Sequence, residues 1–343
     1  MSRSSPLVSF GLYTALPVIL LGIASQLFGF SGFFLYVVVP LLILVALGGL
    51  LRFAVGKAFP GAFGALFRAM PLSASFGILV IAIYILGAIF APAISPYGEF
   101  EVFKEINLLP GDDPRFLLGT DQIGRDLLSR LIYGGRNTIF IALVTTMLAF
   151  LLGATFGFMA AVFGGWLDQL LSRIVDAMMA IPQLIFALLL ITIFGQDTFI
   201  MIVVIAVLDS TRVFRLARAV GVNIVVMDYI EAAKLRGESL TYLIFKEILP
   251  NATAPLLAEF GLRFCFVFLL IASLSFLGLG IQPPFADWGT MVRSLAQFIN
   301  FAGFGYWLTA TLPLMPAAAI ALLTVAVNFV VDWMLHRYSG LKE

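Results

Sequence analysis

The sequence predicts an all-α polytopic membrane protein of eight spans with both termini in the cytoplasm. Three observations carry this expectation. Hydrophobic residues make up 62% of the 343 positions and charged residues 11%, whereas a soluble domain carries about 25% charged residues. Mean hydropathy is +1.08. Uncharged runs long enough to cross a bilayer, about 20 residues each, recur along the chain. Finally, basic residues gather around Arg52–Arg68, around Arg212–Lys246 and at the C-terminus, and the positive-inside rule places those regions in the cytoplasm.

Composition also removes several function classes. A net charge of +1 argues against a nucleic-acid partner. The one cysteine, Cys265, lies in an apolar run and cannot form an internal disulfide. One histidine (His336), one cysteine and no suitable carboxylate cluster leave no metal site. Gly56-Lys57 lacks the glycine spacing of a phosphate-binding loop, so ATP hydrolysis is not expected of this chain.

Residues 1–69 read as a transmembrane hairpin followed by a basic connection. Nothing from Ser4 to Leu51 is charged, which is room for two spans, Leu12–Phe28 and Phe34–Arg52, with a break at Gly29-Phe30-Ser31-Gly32. A cleaved signal peptide is the alternative for the first. It lacks a charged start beyond Arg3 and a clear cleavage site. Gly22, Ala24, Ser25, Gly48 and Gly49 suit close helix packing. A stretch so poor in polar groups is expected at the periphery of a pore rather than lining it.

Residues 70–136 begin with a span, Leu72–Ala93, and continue into a polar segment with a loop signal at Pro110-Gly111-Asp112-Asp113-Pro114. Asp126 to Ile132 spaces its apolar residues like a helix lying on the membrane, and Asp121 is the expected cap. Residues 137–343 hold the remaining spans: Asn137–Phe163, Ala177–Phe194 with Pro182 at its start, Thr198–Leu216, a span from Asn251 to about Leu277, and Trp307–Val331. Asp168, Arg173 and Asp176 flank a short amphipathic connection. Two charge pairs fall inside spans at helical spacing, Asp209 with Arg212 and Glu259 with Arg263. Such pairing favours a structural role over the other reading of intramembrane charges, a substrate pathway or proton relay.

One polar, helix-forming segment, about residues 219–251, is enclosed by apolar runs. Asp228-Tyr229-Ile230-Glu231-Ala232-Ala233-Lys234-Leu235-Arg236 is rich in good helix formers. Gly237 then permits a tight turn in which a bulky side chain is expected to clash. A second amphipathic stretch, Ser239–Ile248, is expected to end at Pro250. Two short helices on the basic side of a membrane protein, meeting near a glycine, form a socket for another protein.

In this stretch the sequence resembles the permease subunits of ABC importers, whose EAA motif has Glu-Ala-Ala, then Gly, then Leu-Pro at the spacing of Glu231-Ala232-Ala233, Gly237 and Leu249-Pro250. Two further stretches resemble signatures of the dipeptide, oligopeptide and nickel importer permeases. They are Gly119-Thr120-Asp121 with Gly124-Arg125-Asp126, and Gly278, Gly280 and Pro283 with Trp288-Gly289. Asn328 and Asp332 fit that family's closing pattern, with Val331 where glycine is usual. Glu247 and Val225-Val226-Met227 also depart from it, and the first two spans precede its six-span core.

The resemblance implies a six-span ABC importer permease core carrying an extra N-terminal hairpin, in the bacterial inner membrane. It implies that Asp228, Glu231, Ala232, Ala233, Gly237, Leu249 and Pro250 dock a cytoplasmic ATPase. The partners implied are a second related permease, two ATPases that bind the ATP and Mg, and an external substrate-binding protein. The chain is expected to hold no cofactor itself and to conduct di- or oligopeptides, with nickel chelates, opines and sugars left open. The competing classes are a secondary transporter, which has no need of an EAA loop, and a membrane assembly protein, which would not copurify with ATPases.

Overall fold

The structure, a computed structural model, describes residues 39–59, 61–304 and 311–339. The expected span Leu12–Phe28 lies outside the described residues. Regular structure among the described residues is helical apart from one isolated antiparallel bridge, Thr120 to Asp126. The chain divides into two compact units, Met1–Val80 and Ile81–Glu343.

In the first unit, α1 (Val39–Ala58) is followed by the short α2 (Ala62–Ala69) and by α3 (Leu72–Ile89), inside which the boundary falls. Arg52 Nη2 donates to the Arg68 carbonyl at 2.8 Å, and Arg68 donates to the Gly56 carbonyl, tying α1 to α2. Gly48 brings α1 close to α3. A Cβ there would lie 2.9 Å from the Cα of Phe76, so the small residue lets two backbones meet.

The second unit is built on α4 (Leu127–Phe163), α5 (Gly165–Met179), α6 (Gln183–Phe194), α7 (Thr198–Val225), α8 (Asp228–Leu235), α9 (Leu249–Leu277), α10 (Trp288–Leu295) and α11 (Thr311–Ser339). The central contact is α4 against α7. A Cβ at Gly153 would sit 2.5 Å from the Ser210 carbonyl oxygen, one at Gly157 2.7 Å from that of Phe214, and one at Gly221 2.8 Å from the Ala161 Cβ. On α4, Gly153, Gly157 and Ala161 recur every four positions, the spacing at which small side chains share one face of a helix and permit close membrane packing.

Five helices among the described residues are long and apolar enough to cross a membrane: Pro40–Ala58, Leu72–Ile89, Leu127–Phe163, Leu240–Leu277 and Thr311–Arg337. Helices α5 and α6 add a sixth only as a bent pair, with a 91° angle between them. Helix α7 is 28 residues long but carries Asp209, Arg212 and Arg215 within its length.

Four expectations are corrected. Ala177–Phe194 is no straight span. Pro182 disfavours helix at the residue before it, and the chain turns between α5 and α6. Nor is Asp126–Ile132 a separate surface helix. It forms the first turns of α4, whose 37 residues extend about 55 Å at ~1.5 Å per residue. The cap is Asp126, whose side chain accepts from Ser129 N at 2.7 Å, rather than Asp121. Finally, Pro250 ends nothing. Ser239 caps a helical turn at Leu240–Tyr242, a π-helical stretch covers Leu243–Ile248, and this runs directly into α9. Pro250 has no N–H to donate, and the wider π turn lies immediately before it, where that donor would be missed.

Candidate functional site

Helix α8 and the turn after it form a compact unit suspended between α7 and α9. Its inner face is anchored. Ile230 and Ala233 are fully buried and cluster with Leu243, Ile244, Ile248, Ala217 and Phe158. Its outer face carries Asp228, Glu231, Ala232 and Lys234 with Met227, Tyr229 and Leu235, all exposed, Leu235 at 83%. Of the Glu-Ala-Ala triplet, the third residue therefore holds the helix down and the first two face outward. Leu249 is half-buried and Pro250 exposed.

Gly237 closes α8 with a left-handed residue, φ +77°. Gly237 N donates to Lys234 O at 2.9 Å and Glu238 N to Ala233 O at 3.2 Å, the paired bonds of a Schellman cap. The expected clash is corrected here. A Cβ at Gly237 meets nothing within 4 Å, so glycine is required by the backbone angle and not by crowding within this chain.

The two signature stretches converge at the opposite end of α9. Asp121 accepts from Ile123 N and Arg125 N at 3.0 and 2.9 Å and from Arg125 Nε at 2.8 Å. Thr120 Oγ1 donates to the Glu105 carbonyl at 2.8 Å, while Arg125 reaches the Pro284 carbonyl at 3.4 Å. Glu99 accepts from both Asn137 Nδ2 and Ala286 N at 2.7 Å. Trp288 donates its indole N–H to the Leu131 carbonyl at 2.8 Å, and its ring lies where Cβ atoms at Gly134 and Gly135 would be. Gly289 lies equally close to α9, where a Cβ would be 2.6 Å from Ser275 Cβ. Gly278 caps α9 with φ +91°. Gly280 packs against Ser275, and Pro283 is joined to Pro284 by a cis peptide. These residues assemble a packed corner of α4, α9 and α10.

Sequence reasoning missed Asp287. It is fully buried, caps α10 by accepting from Thr290 N at 2.8 Å, and accepts from Thr138 Oγ1 at 2.9 Å. Burial pushes its carboxyl above the usual range against those hydrogen bonds. The Asp-x-x-Thr pattern ahead of an apolar helix was the available signal. Further out, hydrogen bonds from Arg115 hold the Glu105 and Asp113 carboxyls below theirs.

The charges inside the bundle are arranged differently from expectation. Glu259 and Arg263 do pair, Oε1 to Nε 2.7 Å. Asp209 and Arg212 do not. The α7–α9 contact seals the short Asp209 side chain completely and turns it toward Arg263, 3.8 Å away. Neither Asp209 carboxylate oxygen makes a hydrogen bond of full geometry, and the side chain facing it besides Arg263 is Gln183 of α6. Arg212 remains half-buried on the flank, 5.9 Å from the Phe266 ring centre, and Arg263 lies 4.6 Å from the same centre. Among the described residues no group of three or more His, Cys, Asp or Glu converges as a metal ion would require.

Residues 153–339 match the family described as binding-protein-dependent transport system inner membrane component. The chain is 35% identical over 261 residues to the di/tripeptide transport system permease protein of Pseudomonas aeruginosa, covering 75% of this chain and 84% of the relative. It is 34% identical over 261 residues to the dipeptide transport system permease protein of Haemophilus influenzae, covering 75% and 86%. With that of Escherichia coli K12 it shares 36% over 264 residues, covering 75% and 85%. With a family match over more than half its length, and relatives aligned over most of theirs, the chain belongs to the binding-protein-dependent transport system inner membrane component family.

Proposed function

We propose that this chain is one half of the pore of an ATP-driven importer for di- or oligopeptides in a bacterial inner membrane, and that residues 228–250 dock its ATPase. The single observation carrying the docking assignment is the two-sided character of α8. Ile230 and Ala233 root it in the bundle, while Glu231 and Leu235 are left uncovered. A solitary exposed leucine is unremarkable, but Met227, Tyr229, Leu235 and Phe245 are all exposed around one charged helix, the composition of a partner surface. The peptide substrate rests on the named relatives.

In this reading the chain hydrolyses no ATP. Two ATPase subunits bind ATP and Mg, a second related permease completes the pore, and an external binding protein delivers substrate. Nucleotide at one end and loaded binding protein at the other bias one switch between inward- and outward-facing states. The test is copurification and transport with Glu231→Lys. That variant should insert normally yet lose ATPase association, because a charge-assisted contact becomes repulsive. Full transport by Glu231→Lys would refute the docking assignment.

A further inference from the structure

We propose that Arg212, beside the Asp209–Arg263–Glu259 cluster, forms a subsite of the translocation path that receives the C-terminal carboxylate of a peptide. The proposal rests on the importer reading above.

Depth is the first argument. Asp209 and Arg212 lie about 16 and 21 Å from the start of α7, and Glu259 and Arg263 about 15 and 21 Å from the start of α9, at ~1.5 Å per residue. Asp209 and Arg212 fall inside the expected span Thr198–Leu216, Arg212 about 6 Å from its basic, inner end at ~1.5 Å per residue, and Glu259 and Arg263 fall inside the expected span from Asn251 to about Leu277. Charges inside a span do not face lipid, yet Arg212 is only half-buried and the Glu259 side chain is 22% exposed. The open side of this cluster must therefore face water or another polar surface.

Selective pairing is the second. Helix α7 carries Arg212, Arg215 and Arg218 at three-residue intervals. Arg215 pairs with Asp176 at 2.6 Å, and Arg218 is bound by both oxygens of Asp168. Arg212, the deepest of the three, makes no salt bridge among the described residues. Asp209 and Glu259 make their close contacts with Arg263, and Arg212 acts on Asp209 only at longer range. What Arg212 retains is one aromatic ring and a guanidinium whose planar donors suit a carboxylate.

The chemistry of the neighbours fits the rest of such a ligand. Phe266, 51% exposed, offers apolar surface for a side chain. Glu259 offers an acceptor for an ammonium group. The cluster contains two acids and two arginines, so a zwitterion meets complementary charge without a net field to trap it. The buried Asp209 carboxylate, faced by Gln183 and Arg263, keeps Arg263 engaged, leaving Arg212 as the group that can exchange partners.

The experiment uses the complete transporter reconstituted in proteoliposomes with its binding protein. Initial uptake of a dipeptide and of its C-terminal amide is measured for wild type, Arg212→Gln and Arg212→Lys. Each variant is divided by wild type for the same substrate, which cancels the binding protein's own preference. Arg212→Gln should lower uptake of the free dipeptide about tenfold, the worth of one charge-assisted contact, and change uptake of the amide less than about twofold. Arg212→Lys, which keeps charge but not the fork, should fall between, and it supplies the selective readout should the glutamine variant fail to assemble. An equal loss for both substrates in either variant assigns Arg212 a structural role, and no loss removes it from the path; either overturns the proposal. Uptake of neither peptide by wild type would instead fail the importer reading and this proposal with it.

Discussion

Gly237 allows the coupling assignment to be tested by separating two reasons for a glycine. Its φ of +77° costs an L-residue about 1–2 kcal/mol, while its Cβ direction is empty in this chain to 4 Å. Strain of that size acts on the cap formed by Gly237 N–Lys234 O and Glu238 N–Ala233 O, not on the spans. Asparagine tolerates the left-handed region, alanine does so less well, and valine worst. If the backbone angle alone matters, transport by Gly237→Asn should be near wild type, Gly237→Ala reduced severalfold, and Gly237→Val lowest, with equal amounts of each in the membrane. The assay is uptake normalised to permease content, with ATPase retained on purification as the second readout. If asparagine is as damaging as valine, the empty space is filled by a docked partner and the strain argument is refuted. Should valine transport normally, the turn has no part in coupling.

Two further outcomes are expected. Gly157→Leu should destabilise the α4–α7 contact by about 1–3 kcal/mol, the usual cost of overpacking, because even a Cβ there approaches the Phe214 carbonyl to 2.7 Å; an unchanged melting temperature of the purified protein would contradict that packing. A cysteine replacing Pro110 should react with an impermeant thiol reagent from outside, and one replacing Glu238 should not, against a low background because Cys265 is buried; the reverse pattern would invert the proposed orientation.

What the sequence could show depended on how far apart the interacting residues lie. The helix around Glu231 and the span at Leu72 are legible because propensity and hydropathy act over neighbouring positions, and Glu259 with Arg263 pairs as an i,i+4 spacing suggests. The same local logic failed for Asp209 and Arg212. Its real partner, Arg263, sits on another helix, and no spacing rule reaches across the intervening segment of residues 226–248. Asp168 with Arg218 and Glu99 with Asn137 are equally invisible, separated by 50 and 38 residues. Pro250 was misread for a different reason. A proline forbids one hydrogen bond, and a helix can absorb that loss by widening for a single turn. The signature residues were recognisable as a pattern, yet their purpose, a corner in which Trp288 seats against Gly134 and Gly135, appears only when α4 and α10 are brought together.

The rod from Leu240 to Leu277, 38 residues in all, has a mechanical consequence. Its continuity is broken in hydrogen bonding only at the π turn Leu243–Ile248 and at Pro255, where a helix can bend; beyond Pro255 it moves as one piece and pivots. At ~1.5 Å per residue it is about 57 Å long, and its first turns lie inside the same cluster that anchors α8. A tilt of about 10° about that inner end would sweep the far tip sideways by roughly 10 Å, and Glu259, about half-way along, by roughly 5 Å. Small displacements where α8 is rooted are thus magnified with distance. The lever's stiffness, rather than any contact along it, sets how faithfully a push arrives.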